Sequence, residues 1–230
     1  MLATGQFTIR AQDCLLCAEP GITDILCAAC ADDLPRLPQP CCHHCALPVP
    51  AGDTCGRCLN KPPHFDTARA VFAYDFPLDK LVQSFKYGHR LALAVFFSRR
   101  LIELAKDRIE DFDPPDLIVP MPLHSRRLRE RGFNQALELA RPLGKSLRIP
   151  VDATLCRRLR DTRPQAGLHW RERVRNIRGA FDCTTDLSGK RILLVDDVMT
   201  TGASLNECAR ILKRHGAARV SVLVLARALP

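Results

Sequence analysis

The chain has 230 residues, of which 47% are hydrophobic and 26% are charged, proportions that are typical of globular proteins. This length accommodates one ordinary domain together with a small additional module. No apolar run approaches the roughly 20 residues of a membrane-spanning helix, and the first residues lack the apolar segment of a secretory signal. The sequence therefore predicts a cytoplasmic protein without membrane insertion.

The formal net charge of +9 is concentrated in one part of the chain. Residues 120–180 contain 15 arginines and lysines against 5 acidic residues, whereas the rest of the chain is nearly balanced. All but one of these cations are arginine, whose planar guanidinium binds phosphate oxygens in pairs. A solvated surface explains any single arginine, but the cluster as a whole predicts a polyanionic ligand.

Eight of the twelve cysteines form two copies of the pattern C-x2-C-x9-C-x2-C. They are Cys14, Cys17, Cys27, Cys30, Cys42, Cys45, Cys55 and Cys58. Two pairs of thiolates on tight turns are typical of a tetrahedral zinc site, and four thiolates leave no open position for catalysis. The pattern predicts two structural zinc sites, with an iron–sulfur cluster or a redox role as the alternative. Disulfides would need an oxidising compartment, which nothing in the sequence indicates.

The pairing of the cysteine ligands stays open at the level of sequence. Sequential pairing is the simplest arrangement, a cross-braced one is the alternative, and Cys41, His43 or His44 could replace a neighbouring ligand. So short a module would have too little core to fold without metal. The three other cysteines are predicted to be ordinary buried residues: Cys156, Cys183 and Cys208.

Alternating strand and helix patterns follow the cysteine module, which we take as a domain of residues 1–62 before a second domain of residues 63–230. Strands are predicted at 68–76, 117–123, 191–195 and 220–226. Helices are predicted from 78 to a break at 88, over 91–109, over 131–147 with a kink or end near Pro142, and over 204–215. Residues 157–178 are predicted to form a mobile loop. The alternation predicts an α/β fold with a parallel sheet flanked by helices.

Residues 192–204 read ILLVDDVMTTGAS and combine two adjacent acids with a hydroxyl-rich loop. Ligands of such sheets bind beyond the carboxyl ends of the strands, where Asp196 and Asp197 are predicted to lie. The 199–203 loop precedes a helix that begins near Ser204, so its backbone N–H groups form an anion site. A sugar phosphate would satisfy both halves, with its phosphate in the loop and its hydroxyls donating to the acids. The acids would also favour Mg²⁺ on the same diol.

Two other interpretations of this segment are weaker. ILLVDD is similar to a Walker B strand, but the GKS sequence at 144–146 has Leu139 where the phosphate loop of that motif requires a glycine. An ordinary strand-to-helix turn explains Gly202 and Ser204, but it does not explain two consecutive acids at the ligand-binding end of the sheet.

The segment VDDVMTTGAS resembles the signature of type I phosphoribosyltransferases, which bind 5-phosphoribosyl 1-diphosphate (PRPP). Together with the double cysteine module it resembles the ComF/GntX family, named for bacterial DNA uptake during competence. The resemblance extends over FKYG (85–88), PMPLHSRRLRERGFNQA (120–136) and RPQAGLHWRERVRNIRGAF (163–181). It implies a type I phosphoribosyltransferase fold with a small N-terminal double zinc ribbon.

The resemblance also implies roles for individual residues. Asp196 and Asp197 would be catalytic and would hold the ribose diol of PRPP. PRPP would bind together with Mg²⁺, and Lys86 would lie near the site. The 5-phosphate would be held by Thr200, Thr201, Gly202 and Ser204. The pyrophosphate would be held by Pro120, Met121, Pro122, Leu123, Arg126, Arg127 and Arg131. The mobile flap over the site would carry Arg163, Gln165, Arg171 and Asn176.

The function that the resemblance implies is PRPP binding in DNA uptake or in the use of imported DNA. Single-stranded DNA would be a natural polyanion for the arginines. One alternative is an active phosphoribosyltransferase of unknown acceptor, and another is a zinc-ribbon adaptor that docks to an uptake or helicase protein. Thr200 stands where some purine-salvage enzymes carry an aspartate base, which disfavours a purine acceptor without forbidding catalysis.

Overall fold

The computed structural model describes residues 12–88, 90–107, 114–161 and 177–230. The chain divides between Leu34 and Pro35 into two compact units. The sequence predicted two independent domains with a boundary after residue 62. A division into compact units does not test whether domains are independent, so this boundary stays a prediction. Within the described ranges, no helix is both long enough and apolar enough to span a membrane.

The described part of the first unit is a loop-rich module built around cysteines. An antiparallel bridge joins Gln12 to Ile22, and a single helical turn, α1 (Ala28–Asp32), follows. Cys27 caps this turn, because its sulfur accepts a hydrogen bond from the backbone N–H of Cys30 at 3.5 Å. So small a module contains little apolar core, and its order therefore depends on what the cysteines bind.

The second unit contains a four-stranded sheet with the strand order β1-β6-β5-β2, in which every neighbouring pair is parallel. A separate antiparallel pair joins β3 to β4. The strands are β1 (Thr67–Ala73), β2 (Leu117–Pro120), β3 (Cys156–Arg158), β4 (Phe181–Cys183), β5 (Arg191–Met199) and β6 (Arg219–Arg227). The helices are α2 (Gly56–Asn60), α3 (Leu78–Tyr87), α4 (Ala92–Asp107), α5 (Ser125–Arg131), α6 (Gln135–Leu147) and α7 (Ala203–Arg214). The predicted α/β class with a parallel sheet is confirmed.

The central strands are buried as continuous apolar runs, which is typical of a parallel sheet covered on both faces. In β6, eight consecutive residues after Arg219 are buried. The scattered cysteines lie in this core as predicted: Cys156, Cys183 and Cys208 are all at most 2% exposed.

Strand β5 is longer than the predicted 191–195, and the extension matters for the site. It pairs with β2 only as far as Val195, opposite Pro120, but it pairs with β6 over its whole length. The extra residues continue the strand because their backbone groups find partners in β6. Asp196 and Asp197 therefore lie where β5 extends past the end of β2, at the carboxyl edge of the sheet.

The segment that was predicted as one helix over 131–147 contains parts of two helices. The sequence pattern missed α5, which ends at Gly132, where φ is +77°. Glycine adopts this conformation without the penalty of a Cβ atom. A new helix, α6, begins after Asn134, whose side-chain oxygen accepts from the backbone N–H of Ala136 at 3.0 Å. A side-chain cap of this kind marks a helix start.

Pro142 lies inside α6 and does not end it, so the prediction of an end near this residue was wrong. The alternative, a kink, stays a prediction. A proline removes one backbone hydrogen bond of the helix. The loss is tolerated because the neighbouring Leu139, Ala140 and Leu143 are fully buried, and tertiary packing of this kind supplies most of the stability of helices in proteins.

Candidate functional site

The two cysteine quartets come together as predicted. Within the described residues, two groups have ligand atoms that all lie within 4.8 Å of one another: Cys14, Cys17, Cys27 and Cys30, and Cys42, Cys45, Cys55 and Cys58. Pairing is therefore sequential and not cross-braced. Cys41, His43 and His44 belong to neither group; the Cys41 thiol instead donates to the carbonyl of Pro38 at 2.9 Å.

The geometry of both quartets fits zinc. Four sulfurs at about 2.3 Å from a central Zn²⁺ would lie about 3.8 Å from one another. The sulfurs of Cys17 and Cys27 are 3.7 Å apart, and those of Cys45 and Cys55 are 3.6 Å apart. Burial acts to raise the pKa of the Cys14 thiol, but backbone N–H groups outweigh it and lower this pKa to about 6. The Cys14 thiol is therefore the group of its quartet that most readily becomes a thiolate, whereas hydrogen bonds to neighbouring thiols raise the pKa of Cys30. A zinc ion stabilises the thiolate form of its ligands.

The acid pair on β5 is neutralised in part by a lysine from a distant element. Lys86, near the end of α3, places its Nζ atom 2.9 Å from Oδ2 of Asp197, and both side chains are largely buried. Burial acts to lower the pKa of Lys86, but the carboxylates, Asp197 foremost, outweigh it and raise this pKa. Burying a charge costs free energy, so this largely buried ion pair is tolerated only because each charge is compensated by its partner.

Asp196 differs from its neighbour, because none of the described lysines or arginines forms an ion pair with it. Burial and the adjacent Asp197 carboxylate raise the pKa of Asp196 to about 7, against the lowering effect of Lys86. One oxygen of Asp196 accepts from the backbone N–H of Asp197 at 2.9 Å. This leaves further lone pairs of the carboxylate for donors such as sugar hydroxyls.

The loop after β5 forms a pocket of about 70 Å³ at the N-terminus of α7, and this pocket also borders Asp196. Its lining includes all of the predicted 5-phosphate residues: Thr200, Thr201, Gly202 and Ser204. Gly202 has a φ of +77° and forms the N-cap of α7. The first N–H groups of a helix have no partner within it, so they and the positive end of the helix dipole favour an anion here.

A second pocket of about 80 Å³ lies on the other side of Asp196 and contains both acids of β5. The predicted pyrophosphate residues Met121, Pro122, Leu123 and Arg131 line it. Arg131 donates to Oε1 of Gln135 at 2.9 Å. Gln135 is 3% exposed, and its Nε2 donor is buried without a hydrogen-bond partner. A buried donor without a partner is costly, and Nε2 of Gln135 would gain an acceptor if one were bound beside it in this pocket.

Among the described residues, three predicted pyrophosphate residues line neither of these two pockets: Pro120, Arg126 and Arg127. Arg126 and Arg127 on α5 each have a guanidinium nitrogen 3.5 Å from a carboxylate oxygen of Asp161, and neither lines either pocket. Pro120 is the buried last residue of β2. Their roles, like those of the four flap residues, stay predictions. All four of those lie outside the described residues: Arg163, Gln165, Arg171 and Asn176.

Comparison with known proteins supports both parts of this architecture. The model of the phosphoribosyl transferase domain family matches residues 133–229, and that of the double zinc ribbon domain matches residues 9–59. The chain is 37% identical over 207 residues to the DNA utilization protein YhgH of Escherichia coli, covering 89% of this chain and 91% of that protein. It is 32% identical to Competence protein F of Haemophilus influenzae, covering 88% and 90%. The chain belongs to the ComF/GntX family.

The fold of this ComF/GntX protein is accordingly the type I phosphoribosyltransferase fold with an N-terminal double zinc ribbon, as predicted. Among solved structures it is similar to a purine phosphoribosyltransferase from Pyrococcus horikoshii, with 21% identity over 57% of this chain and 70% of that one, and a TM-score of 0.36. A hypoxanthine phosphoribosyltransferase from Trypanosoma cruzi is 18% identical over 58% and 66%, with a TM-score of 0.40.

Three polar residues that line the pocket with both acids were not singled out from the sequence: Asn134, Gln135 and Arg158. Asn134 also donates from Nδ2 to the carbonyl of Met121 at 3.1 Å, which ties the loop after β2 to the start of α6. A signal existed for Asn134, because an asparagine before a run with helical spacing is a typical N-cap. Arg158 was one of many arginines, and only the β3–β4 hairpin brings it to the pocket.

Proposed function

We propose that this protein binds a ribose 5-phosphate unit, most naturally as PRPP, between the two acids of β5 and the loop that begins α7. The observation that carries the proposal is that Asp196 borders both pockets, one acidic and one an anion site. A single ligand with hydroxyls at one end and a phosphate at the other matches this pair. The diol would donate to Asp196 and Asp197, and the 5-phosphate would accept from the loop amides and from the hydroxyls of Thr200, Thr201 and Ser204.

The diphosphate of PRPP would lie in the second pocket, which contains both acids of β5. Arg131 and Arg158 line it, and the unpartnered Nε2 of Gln135 offers one more donor. Guanidinium groups match phosphate oxygens in charge and geometry. Mg²⁺ normally binds through one or two carboxylates together with substrate phosphates, and the acid pair beside this pocket fits that donor set. When bound there, the ion would neutralise charge on the diphosphate.

A thermal-shift titration with PRPP and Mg²⁺ tests the binding proposal. Ligand that binds only the native state at a hundredfold excess over its dissociation constant stabilises that state by about 2.7 kcal/mol. We expect the wild type to show this response and the Asp196→Asn/Asp197→Asn variant to lose it. The matched control is Asp32→Asn/Asp33→Asn, which makes the same charge change at two consecutive aspartates that are exposed. A wild type that does not respond would contradict the proposal.

We also propose that the protein acts in the uptake or use of DNA, because the relatives that it matches are named for DNA utilization and for competence. The chain adds its own support, since α5 carries several arginines beside the pocket. Of these, Arg126 and Arg129 are exposed. Single-stranded DNA contacting them would bind with an affinity that falls steeply as salt rises.

Filter binding of a single-stranded oligonucleotide across a salt series tests this second proposal. We expect Arg126→Gln/Arg129→Gln to weaken binding and to reduce the salt slope, since each lost phosphate contact removes about 0.7 from the slope for a single strand. Lys106→Gln/Arg214→Gln removes the same charge from exposed positions on other helices and is the control. Equal losses in both variants would indicate non-specific attraction, and no retention at low salt would exclude DNA as a direct ligand.

Turnover is a separate question from binding. A transferase would release pyrophosphate from PRPP when an acceptor attacks C1 of the ribose, and Arg131 and Arg158 would stabilise the departing charge. Incubation with PRPP, Mg²⁺ and a panel of nucleobases, followed by a pyrophosphate assay, distinguishes an enzyme from a binding protein. Thr200 stands where an aspartate base would act on a purine, so we expect no release with purines.

A further inference from the structure

The second zinc site belongs to the same compact unit as the candidate sugar-phosphate site. Its four cysteines all lie after Pro35, whereas those of the first site all precede Leu34. The backbone of the second site is bonded to the sheet, because the carbonyl of His43 accepts from the N–H of Ala68 in β1 at 3.0 Å. Ala46, beside the ligand Cys45, is 1% exposed and lies in the same apolar core as the sheet.

Arg227, the last residue of β6, connects the second zinc site to the start of the phosphate loop. Its side chain is almost wholly buried, with the residue 2% exposed. Nε donates to the carbonyl of the zinc ligand Cys45 at 2.9 Å. Nη1 donates to the carbonyl of Met199 at 3.0 Å and also to that of Thr200. One rigid planar group thus fixes the backbone of the zinc site relative to the backbone that enters the loop.

Two further contacts join residues 57–64, at and just after the second zinc site, to the loop and to the start of α7. Arg57, which lies between the ligands Cys55 and Cys58, donates from Nη2 to the carbonyl of Thr201 at 3.1 Å. The backbone N–H of His64 donates to Oδ1 of Asn206, in the first turn of α7, at 2.6 Å. The carbonyls of residues 199–201 and the first turn of α7 are therefore held by Arg57, His64 and Arg227.

The charge of the metal centre explains why a buried guanidinium is stable beside it. Four thiolates around one Zn²⁺ leave an excess of negative charge, and a buried cation needs a compensating charge of this kind. Within the described residues, the Arg227 guanidinium donates to neutral backbone carbonyls, those of Cys45, Met199, Thr200 and Ala228. Without zinc, the backbone around Cys45, whose carbonyl accepts from Arg227, would lose its order.

We infer that Arg227 is a positioning residue through which zinc at the second site, but not zinc at the first site, sets the geometry of the sugar-phosphate loop. This inference rests on the proposed binding of a sugar phosphate at that loop. The second zinc ribbon would then be part of the ligand-binding unit, and loss of its metal would release the loop without touching the acids of β5.

The test uses the zinc-loaded full chain and has two readouts, of which one needs no ligand. Hydrogen exchange of the 199–206 amides reports the order of the loop, and calorimetry with ribose 5-phosphate reports its affinity. We expect Arg227→Gln to retain two zinc ions per chain, to speed exchange in the loop at least tenfold, and to weaken ribose 5-phosphate binding at least tenfold. We expect Cys45→Ser, which removes a ligand of the second zinc site, to speed loop exchange and weaken ribose 5-phosphate binding in the same way. Cys17→Ser, which removes a ligand of the first site, should change neither loop exchange nor binding.

A smaller change guards against a variant that does not fold. Arg57 is exposed, so Arg57→Gln leaves the core intact, and we expect it to speed hydrogen exchange in the loop about threefold. The control is Lys61→Gln, which removes the same charge nearby and should leave loop exchange unchanged. Unchanged loop exchange in both arginine variants with zinc retained would overturn the inference, and so would equal effects of Cys17→Ser and Cys45→Ser. A wild type that does not bind ribose 5-phosphate would instead overturn the proposed function, and the exchange data would still decide the coupling.

Discussion

At the scale of single residues, the central feature is an acid pair whose two members have different surroundings. Asp197 is paired with Lys86 at 2.9 Å, whereas Asp196 has its pKa raised to about 7 by burial and by its neighbour. The sequence predicted the acids and their place at the sheet edge. The resemblance placed Lys86 near the site, but nothing in the sequence indicated that this lysine pairs with Asp197, because only the fold brings α3 to β5.

The raised pKa of Asp196 predicts a pH-dependent affinity for ribose 5-phosphate. Hydroxyls donate to the ionised carboxylate, so affinity should rise with pH and level off above about pH 8. With a pKa of about 7, the ionised fraction of Asp196 grows about tenfold between pH 6 and pH 8. This factor is the upper limit of the gain in affinity that Asp196 itself can cause. Calorimetry at four pH values measures it.

The control for this pH dependence is Asp196→Asn, which retains only the ionisation of the ligand phosphate, whose second pKa is about 6. The Asn variant should therefore show a smaller gain, complete by about pH 7. If wild type and variant have parallel profiles, Asp196 does not contact the hydroxyls in its ionised form.

The ion pair itself predicts a stability effect at Lys86. Lys86→Met leaves Asp197 buried without its cation, and we expect the free energy of unfolding to fall by about 2–3 kcal/mol, somewhat below the range for fully buried pairs. Lys80→Met is the control on the same helix, since Lys80 is 62% exposed and 3.5 Å from Asp79, and such exposed pairs contribute little. Urea unfolding of the zinc-loaded protein measures both. Equal losses would show that Lys86 is not specifically matched to Asp197.

At the scale of elements, the pattern of apolar residues identified the four strands of the sheet and most helices, but it placed several ends wrongly. Strand β5 extends through two aspartates because β6 supplies backbone partners beside them, which is a tertiary effect that residue propensities do not contain. Helix α5 is rich in arginine and has no buried residue, so it lacks the apolar periodicity on which such predictions depend.

Helix α6 positions Asn134 and Gln135 at the pocket, and its close packing predicts the cost of adding one methyl group. A Cβ atom at Gly144 would lie 2.4 Å from Cγ2 of Val151 and 2.8 Å from the carbonyl oxygen of Ile149. We expect Gly144→Ala to lower the free energy of unfolding by about 1–3 kcal/mol through overpacking. The measurement is urea unfolding.

Gly56 provides the matched control for this substitution. It also lies in a helix, but a Cβ atom added there would meet no heavy atom within 4 Å. Gly56→Ala should therefore be neutral or slightly stabilising, because alanine is the better helix former. A loss at Gly144 no larger than at Gly56 would mean that α6 can move away from Val151 without cost.

At the scale of the whole molecule, the cysteine spacing predicted both zinc sites and their sequential pairing as the simplest case. It gave no sign that the second site is joined to the sheet, because the contacts that join them involve Arg227, Arg57 and a backbone amide far apart in the chain. The compact units accordingly divide at Leu34 and not after the second zinc site.

Truncation distinguishes these two ways of dividing the chain. A chain of residues 35–230 retains Arg57, which donates to the phosphate loop, and Cys45, which accepts from Arg227. We therefore expect it to bind one zinc ion and to bind ribose 5-phosphate like the full chain. A chain of residues 63–230 loses these partners and leaves Arg227 buried without its bond to Cys45. We expect it to bind the sugar phosphate at least tenfold more weakly, as measured by calorimetry. Equal affinity of both truncated chains would favour the boundary after residue 62.

The most direct measurement of the central claim is a crystal structure of the full chain with ribose 5-phosphate and Mg²⁺. We predict that the 2- and 3-hydroxyls lie within hydrogen-bond distance of Asp196 and Asp197, and that the phosphate accepts from the amides of residues 200–204. A sugar phosphate bound elsewhere, or a pocket that stays empty at saturating ligand while Lys86 keeps its contact with Asp197, would contradict the account.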